Sequence, residues 1–293
     1  MIEHIERLAK LALESGREYS KIRAVKQIEG GSINESFYVQ TEESEFFMKF
    51  HANSPPAFFK SESTGLRLIK ETNTISVPNH LSYSDQPGNA FLLLEWIEGK
   101  KGADTEEILG QKLAQLHKCT GNMHGLHTDS YIGLLEQPNE LNASWLEYYR
   151  NKRLTPQLEI GIDGGVVTGE RREKLEKLIS TLEKWIPSEV SPSYLHGDFY
   201  VGNWIVGPGG EPYVVDPSFL FGDRHLELAF SELFGGFSDD FYKAYQEAYP
   251  LEDYYEDIKP LYQLYYLLAH LNLFGEAYGP SIDHILQQYV GTV

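Results

Sequence analysis

The sequence predicts an α+β protein built as two lobes around a cleft, with a small β-rich N-terminal lobe and a larger, mainly helical C-terminal lobe. Three observations carry this reading. Residues 21–50 alternate and favour β-branched and aromatic side chains. After Gly99 helical apolar spacing takes over, interrupted by one short apolar hairpin. The 293 residues suffice for two units of roughly 150 residues each. The join is expected near 97–101, with one lobe over 1–97 and the other over 98–293, and a ligand site between them.

The elements follow in order. "MIEHIERLAKLALESG" reads as an amphipathic helix; Glu3, Glu6 and Lys10 interrupt its apolar repeat, unlike the core of a signal peptide. "KIRAVKQI", "SFYVQ" and "EFFMKF" read as strands of an antiparallel meander, joined by the turns "EGGSIN" and "TEES". Pro56 suits the first turn of a helix in which Phe58, Leu66 and Ile69 recur, and "NAFLLLEWI" reads as a buried strand. Helices are then expected over 104–118, 142–150, 169–186, 224–235, 238–248 and 252–274, around the hairpin "NWIVGPGGEPYVV". No internal repeat argues for a solenoid.

Composition removes several classes of function. A net charge of −18 disfavours non-specific binding to nucleic acid or an anionic membrane face. The longest apolar runs, such as "AFLLL" and "YYLLA", fall far short of the ~18 residues of a membrane span. The single cysteine, Cys119, fits a reducing, cytoplasmic setting.

The densest polar signal is "YLHGDFYVGNW". Asn203 precedes strand "WIV" and Asp216 follows strand "YVV", so closing the "GPGGEP" turn brings both to one end of a hairpin, ~5 Å apart on neighbouring strands. Two hard oxygen donors facing one space suit Mg²⁺, which completes its shell with water and phosphate oxygens. Asp198 is close enough in sequence to accept a proton from an attacking hydroxyl. Asp and Asn also form turns, so each residue alone has a structural reading; Asp-x₄-Asn followed by a hairpin and Asp is the layout of phosphoryl transfer.

The small lobe adds matching parts. Lys49 near a strand end and Glu62 in the next helix can form the ion pair that presents a lysine to ATP phosphates. Gly30 and Gly31, with Ser32, Ile33 and Asn34, open a strand connection whose amides can approach phosphates, although two glycines also make a plain hairpin turn. In "FLLLEWIEG", Glu95, Trp96 and Ile97 form a strand-to-connector segment whose main chain can pair with adenine.

Taken together, "LHGDFYVGNW", "VVDPSFLFGDRHLELAF" and "ELFGGF" resemble the fructosamine kinase, or ketosamine kinase, family within the aminoglycoside phosphotransferase-like and protein-kinase-like fold. The resemblance runs from "GGSINESFYV" through "HTDSYIGLLEQPN" to "YQLYYLLAHLNLFG". It implies an ATP-dependent kinase for a sugar-derived ketoamine. Asp198 would be the catalytic base, Asn203 and Asp216 the magnesium ligands, Lys49 the phosphate binder and Glu62 its anchor; Glu227 and His196 would brace the loop. Phosphorylation at the third sugar carbon destabilises the ketoamine in that family, implying deglycation. Where the family commonly has Leu-Trp-Ser after the aspartate, this chain has Phe199, Tyr200 and Val201, and Ser32 stands where some relatives carry a cysteine.

Other readings are weaker. An aminoglycoside- or choline-type phosphotransferase suits an acidic cleft, and a catalytically silent nucleotide-binding scaffold is the reading from another class. The intact Lys49, Glu62, Asp198, Asn203 and Asp216 set favours an enzyme. "DPS" in place of D-F-G argues against a protein kinase. His117, Cys119, His124 and His127 match no common zinc spacing.

Overall fold

Strands that carry apolar side chains on both faces must be covered on both, and this requirement organises the N-terminal part of the chain. In the computed structural model, which describes residues 2–29 and 33–291, helix α1 (Ile2–Ser15) precedes strands β1 (Ile22–Ile28), β2 (Glu35–Thr41) and β3 (Glu45–His51). Helix α2 (Phe58–Glu71) and strands β4 (His80–Ser84) and β5 (Ala90–Glu95) follow. The five strands form one antiparallel sheet in the order β1-β2-β3-β5-β4.

Alternation sorts the side chains between the two faces. Phe46, Met48, Phe50, Phe91 and Leu93 pack with Ile5, Leu8 and Ala12 of α1. Leu92 and Leu94 face the other way, toward Phe59, Leu66 and Ile69 of α2. Lys49, between Met48 and Phe50 on β3, therefore points to the α2 side. Strand β4 was not expected from the sequence, because "HLSYS" lacks a run of apolar residues.

Helix α2 starts at Phe58 rather than at Pro56. Ala57 adopts left-handed backbone, φ 59°, which stops the helix from reaching back to the proline. The amides of Phe59 and Lys60 donate to Asp85 Oδ1 and Oδ2 at 2.8 and 3.1 Å. This cap comes from the β4–β5 turn, so local sequence could not reveal it.

The rest of the chain is mainly helical. It contains α3 (Thr105–Lys118), β6 (Ser130–Ile132), β7 (Leu135–Gln137), α4 (Trp145–Tyr149), α5 (Thr155–Asp163) and α6 (Gly169–Ser180). Then come β8 (Ser193–Leu195), β9 (Trp204–Val206), β10 (Pro212–Val214), β11 (Leu220–Gly222), α7 (Arg224–Leu233), α8 (Asp239–Ala248), α9 (Tyr255–Phe274) and α10 (Gly279–Val290). The expectation of a single interrupting hairpin is corrected: β6–β7 and β8–β11 are further two-stranded ladders beside β9–β10. Their strands are three residues long, too short to show a period.

Helix α9 is central. Its Leu261, Tyr262, Leu264 and Leu268 are fully buried with Trp145 and Tyr149. Tyr262 accepts from Trp145 Nε1 at 2.8 Å and donates to Asp223 Oδ2 at 2.6 Å, which satisfies three buried polar groups at once. Among the described residues no helix is long and apolar enough to cross a membrane.

Candidate active site

The loop His196–Asp198 follows β8, and neighbours on all sides fix its shape. Gly197 has φ 87°, and a Cβ there would stand 1.9 Å from the Ser218 carbonyl oxygen, so only glycine fits. The amides of His196 and Gly197 donate to Glu227 Oε1 and Oε2 at 3.1 and 2.6 Å. Glu227 also takes a 2.8 Å bond from His117 Nε2, and His117 Nδ1 pairs with the Tyr245 hydroxyl at 2.8 Å. His196 Nε2 donates to the Val215 carbonyl at 2.7 Å, leaving Nδ1 to accept the Asp198 amide at 3.3 Å. Tyr266 donates to the Gly197 carbonyl at 3.0 Å.

The electrostatics of this support are closed. Burial acts to raise the Glu227 carboxyl, but the His117 bond and the loop amides outweigh it and hold it below the usual range. Burial lowers His196 below its ordinary value, so the ring stays neutral.

The hairpin places the next two residues. Val214 pairs with Trp204, the Val215 amide donates to the Asn203 carbonyl at 3.0 Å, and Asp216 follows directly. Asp216 has φ 58°, a left-handed conformation that costs a non-glycine residue energy and clusters at functional sites. Asn203 Nδ2 donates to the carbonyl oxygen and Oδ2 of Asp198 at 2.8 and 2.9 Å, which turns its amide oxygen away from that carboxylate.

Lys49 joins these elements. Its ammonium bonds Glu62 of α2 at 2.7 Å and also bonds Asp216 Oδ1, so one side chain ties together a strand, a helix and the end of the hairpin. Burial works against the charged lysine, yet the two carboxylates prevail and keep it protonated. Ile33, Asn34 and Tyr200 join Lys49, Asp198, Asn203 and Asp216 in lining a cleft of about 230 Å³. Asn34 Oδ1 is buried there without a hydrogen bond.

The cleft sets the Lys49 ammonium against the carboxylates of Asp198, Asp216 and Glu29, with Glu62 behind the lysine. Burial, with Asp216 and Glu227 nearby, pushes the Asp198 carboxyl up to about 7 despite the Asn203 bond. Burial likewise moves Glu62 upward, opposed by Lys49 and assisted by Asp216. This surplus of negative charge, with oxygen donors only, fits a hard divalent cation. Among the described residues no three His, Cys, Asp or Glu side chains converge as a metal cage, so such a cation would take much of its shell from phosphate and water, as Mg²⁺ does.

The other expected residues are placed differently. Gly30, Gly31 and Ser32 lie outside the described residues. The Glu95 carboxylate is engaged by the Asn79 amide and Nδ2 at 3.2 and 2.7 Å, and the Glu95 and Trp96 amides donate to Asn79 and Glu45 carbonyls. Trp96 packs on Tyr38 and Phe47, and Ile97 lies against Gly207. Their side chains therefore stand outside the cleft.

Sequence reasoning missed the role of His117. The signal was available, since a histidine sits in the buried stripe Leu113, Ala114, Leu116 of α3 and there needs a polar partner.

Comparison with known proteins agrees with this geometry. The family model described as fructosamine kinase matches residues 1–292. A probable ketoamine kinase of Enterococcus faecium is 36% identical over 264 residues, covering 89% of this chain and 93% of that one. A chloroplastic protein-ribulosamine 3-kinase of Oryza sativa subsp. japonica is 34% identical, covering 92% of this chain and 80% of that one. The crystal structure of a protein assigned as a fructosamine-3-kinase in Haemophilus somnus superposes with a TM-score of 0.85 at 31% identity, over 99% of this chain and 98% of that one. With a family model matched almost end to end and relatives above 30% identity over nine-tenths of its length, this two-lobed phosphotransferase of hydroxyl groups belongs to the fructosamine kinase family.

Proposed function

We propose that this chain transfers the γ-phosphoryl group of ATP to a hydroxyl of a sugar-derived ketoamine, a fructosamine or ribulosamine, and so serves the deglycation of proteins or metabolites. The observation that carries the reading is the grip of Glu62 and Asp216 on Lys49, with Asp198 and Asn203 hydrogen-bonded beside it.

Each residue then has a task that its surroundings explain. Lys49, held charged, binds phosphate oxygens. Ile33 and Asn34, which line the same cleft, meet those phosphates, and the Glu95 carbonyl and Ile97 amide offer an edge to adenine. Asn203 Oδ1 and the Asp216 carboxylate would hold Mg²⁺, which when bound neutralises phosphate charge. Asp198, steered by the Asn203 amide, orients the acceptor hydroxyl and takes its proton. The N-terminal lobe over 1–97 thus holds the nucleotide and residues 98–293 the acceptor. The acidic chain favours an acceptor whose amine is protonated, and a lone cysteine suits a cytoplasmic setting.

The test offers ribulose-lysine and fructose-lysine beside an aminoglycoside and choline, and follows ATP-dependent product with and without a chelator. Turnover of a ketoamine that stops on chelation is expected. Efficient turnover of the aminoglycoside or choline, with none of either ketoamine, would sink the assignment.

A further inference from the structure

We infer that Phe234, Phe274 and Tyr278 form an aromatic platform that binds the substituent on the ketoamine nitrogen and selects apolar or aromatic amines. This rests on the reaction proposed above and specifies its substrate.

The platform is defined by exposure where burial would be expected. Phe234, just past α7, is 46% exposed, and Phe274, the last residue of α9, is 55% exposed. The Tyr278 ring lies 6.4 Å from each, centroid to centroid. The His270 ring stands behind the three at 4.9–5.6 Å, so the set is packed on one side and open on the other. Solvent-facing rings gathered in one place mark a binding surface.

Two lines of contact connect this surface to the cleft. Tyr200, which lines the cleft with Asp198, has its ring 5.8 Å from Phe230, and Phe230 is 6.0 Å from Phe234. On the opposite side, the β6–β7 turn spans from the cleft-lining Ile33 to Leu273, the neighbour of Phe274. A Cβ on Gly133 would stand 3.3 Å from Ile33 Cδ1 and 3.0 Å from Leu273 Cδ1. Leu134 and Val201, on these two lines, are also exposed, at 44% and 41%. Packed contacts thus run from the platform, through the buried Phe230, to the place where the acceptor hydroxyl must sit.

The chemistry of the surface chooses the occupant. A ketoamine joins a sugar, whose hydroxyl faces Asp198, to a protonated nitrogen carrying a substituent that must leave the cleft. Ring faces attract that cation and shed water when an apolar group covers them. Glu276, two residues before Tyr278 in the chain, is held by Arg171 through bonds of 2.9 and 2.7 Å. Rings, rather than a free carboxylate, meet the substituent, which favours an apolar end over a second charge.

The test compares kcat/KM for ATP-dependent phosphorylation of two ribulosamines, one built on 2-phenylethylamine and one on ethanolamine. The wild-type chain is expected to prefer the first by about tenfold, the scale of one good aromatic contact. Phe234→Ala and Phe274→Ala should each pull that ratio toward one, mainly through KM, while Phe274→Tyr keeps most of it. Unchanged melting temperatures would show that the variants fold. A wild-type ratio near one, or a ratio that neither alanine variant moves, overturns the platform while leaving the reaction intact. A change in sedimentation without a change in ratio overturns it in favour of a second copy as the occupant. Turnover of neither ribulosamine, with an aminoglycoside accepted instead, overturns the reaction itself and this proposal with it.

Discussion

Glu227 and the carboxylates of the cleft lie on opposite sides of the same loop and meet opposite conditions. Behind the loop, Glu227 receives two backbone amides and His117, and its pKa is lowered. In front of it, Asp216 and Glu62 share the Lys49 ammonium, Asp198 has only the Asn203 amide, and Asp198 is pushed up to about 7. A buried group with every bond made is a fastener. A group left with excess charge in a strained backbone has been arranged for something that arrives later, and the surplus is the physical mark of the ligand. Both sets are acidic, and Glu62 is nearly as buried as Glu227 while Asp198 and Asp216 are partly exposed, so residue identity alone does not separate structure from function; the balance of partners does.

The widest separation between the two regions should come from Asp198→Asn. Turnover is expected to fall by about 10³-fold, within the range for removal of a general base, while Mg-ATP binding, read by calorimetry, persists. Because the native carboxylate is held above its ordinary pKa, its loss should raise the melting temperature rather than lower it. Near-normal turnover, or a clear loss of stability, would erase the contrast.

Glu227→Ala should act the other way. It leaves His117 and the amides of His196 and Gly197 without their acceptor in a dry site, at a cost of about 3 kcal/mol, measured by urea unfolding. Glu227→Gln keeps one acceptor oxygen and should recover part of this. A smaller, related effect is expected with pH. His196 has a lowered folded pKa, so the unfolded chain takes up its proton first as pH drops below 6.5, and stability declines from there. The depressed Glu227 carboxyl adds a second loss as pH falls below 4.5 toward its folded value. Because Asp198 and Glu62, held above their ordinary values, act in the opposite sense as pH falls, the sign is read from the stability difference between the native chain and Glu227→Gln in unfolding curves at pH 8, 6, 4.5 and 3.5; a difference that does not shrink below pH 4.5 would rule out this buried network as the fastener.

The sequence made the polar ends of this arrangement legible because they are local. "HGDFYVGN" and the hairpin before Asp216 place three groups within twenty-one residues of one another, and chain geometry does the rest. The Lys49–Glu62 pair could be read from a strand followed by a helix. What stayed hidden was set by distant contacts: the cap on α2 from Asp85, the His117 prop under the loop, and strands of three residues held by neighbours rather than by pattern. Helix α5 was missed for the same reason, since its buried face answers to α6 and α9 rather than to a strong local stripe, whereas α10 was legible in its stripe of Ile282, Ile285 and Leu286 and was overlooked. The connector residues Glu95 and Trp96 show the converse, because the motif was readable while the engagement of their amides with Asn79 and Glu45 was not.

The finest test of the comparison is a single methyl group. Gly65 lies one turn beyond Glu62 on α2, and a Cβ there would stand 3.0 Å from both Phe219 Cβ and Pro217 Cγ, the residues that follow Asp216. Phe219 is fully buried and Pro217 is stiff, so Gly65→Ala must push α2 outward by a few tenths of an ångström. Alanine gains roughly 1 kcal/mol of helix propensity, and the tight contact costs roughly 1–3 kcal/mol; the two nearly cancel, and the melting temperature should change little. The catalytic geometry has no such compensation. Glu62 moves with its helix while Lys49 stays on β3 and Asp216 on the hairpin, so the 2.7 Å Lys49–Glu62 bond lengthens. The KM for ATP should rise by about threefold to tenfold, an energy of roughly 1 kcal/mol, with a smaller change in kcat. A variant that loses stability and keeps its KM would show that α2 is fastened as firmly as the Glu227 side of the loop, and the division between fastener and ligand site would then stop short of this helix.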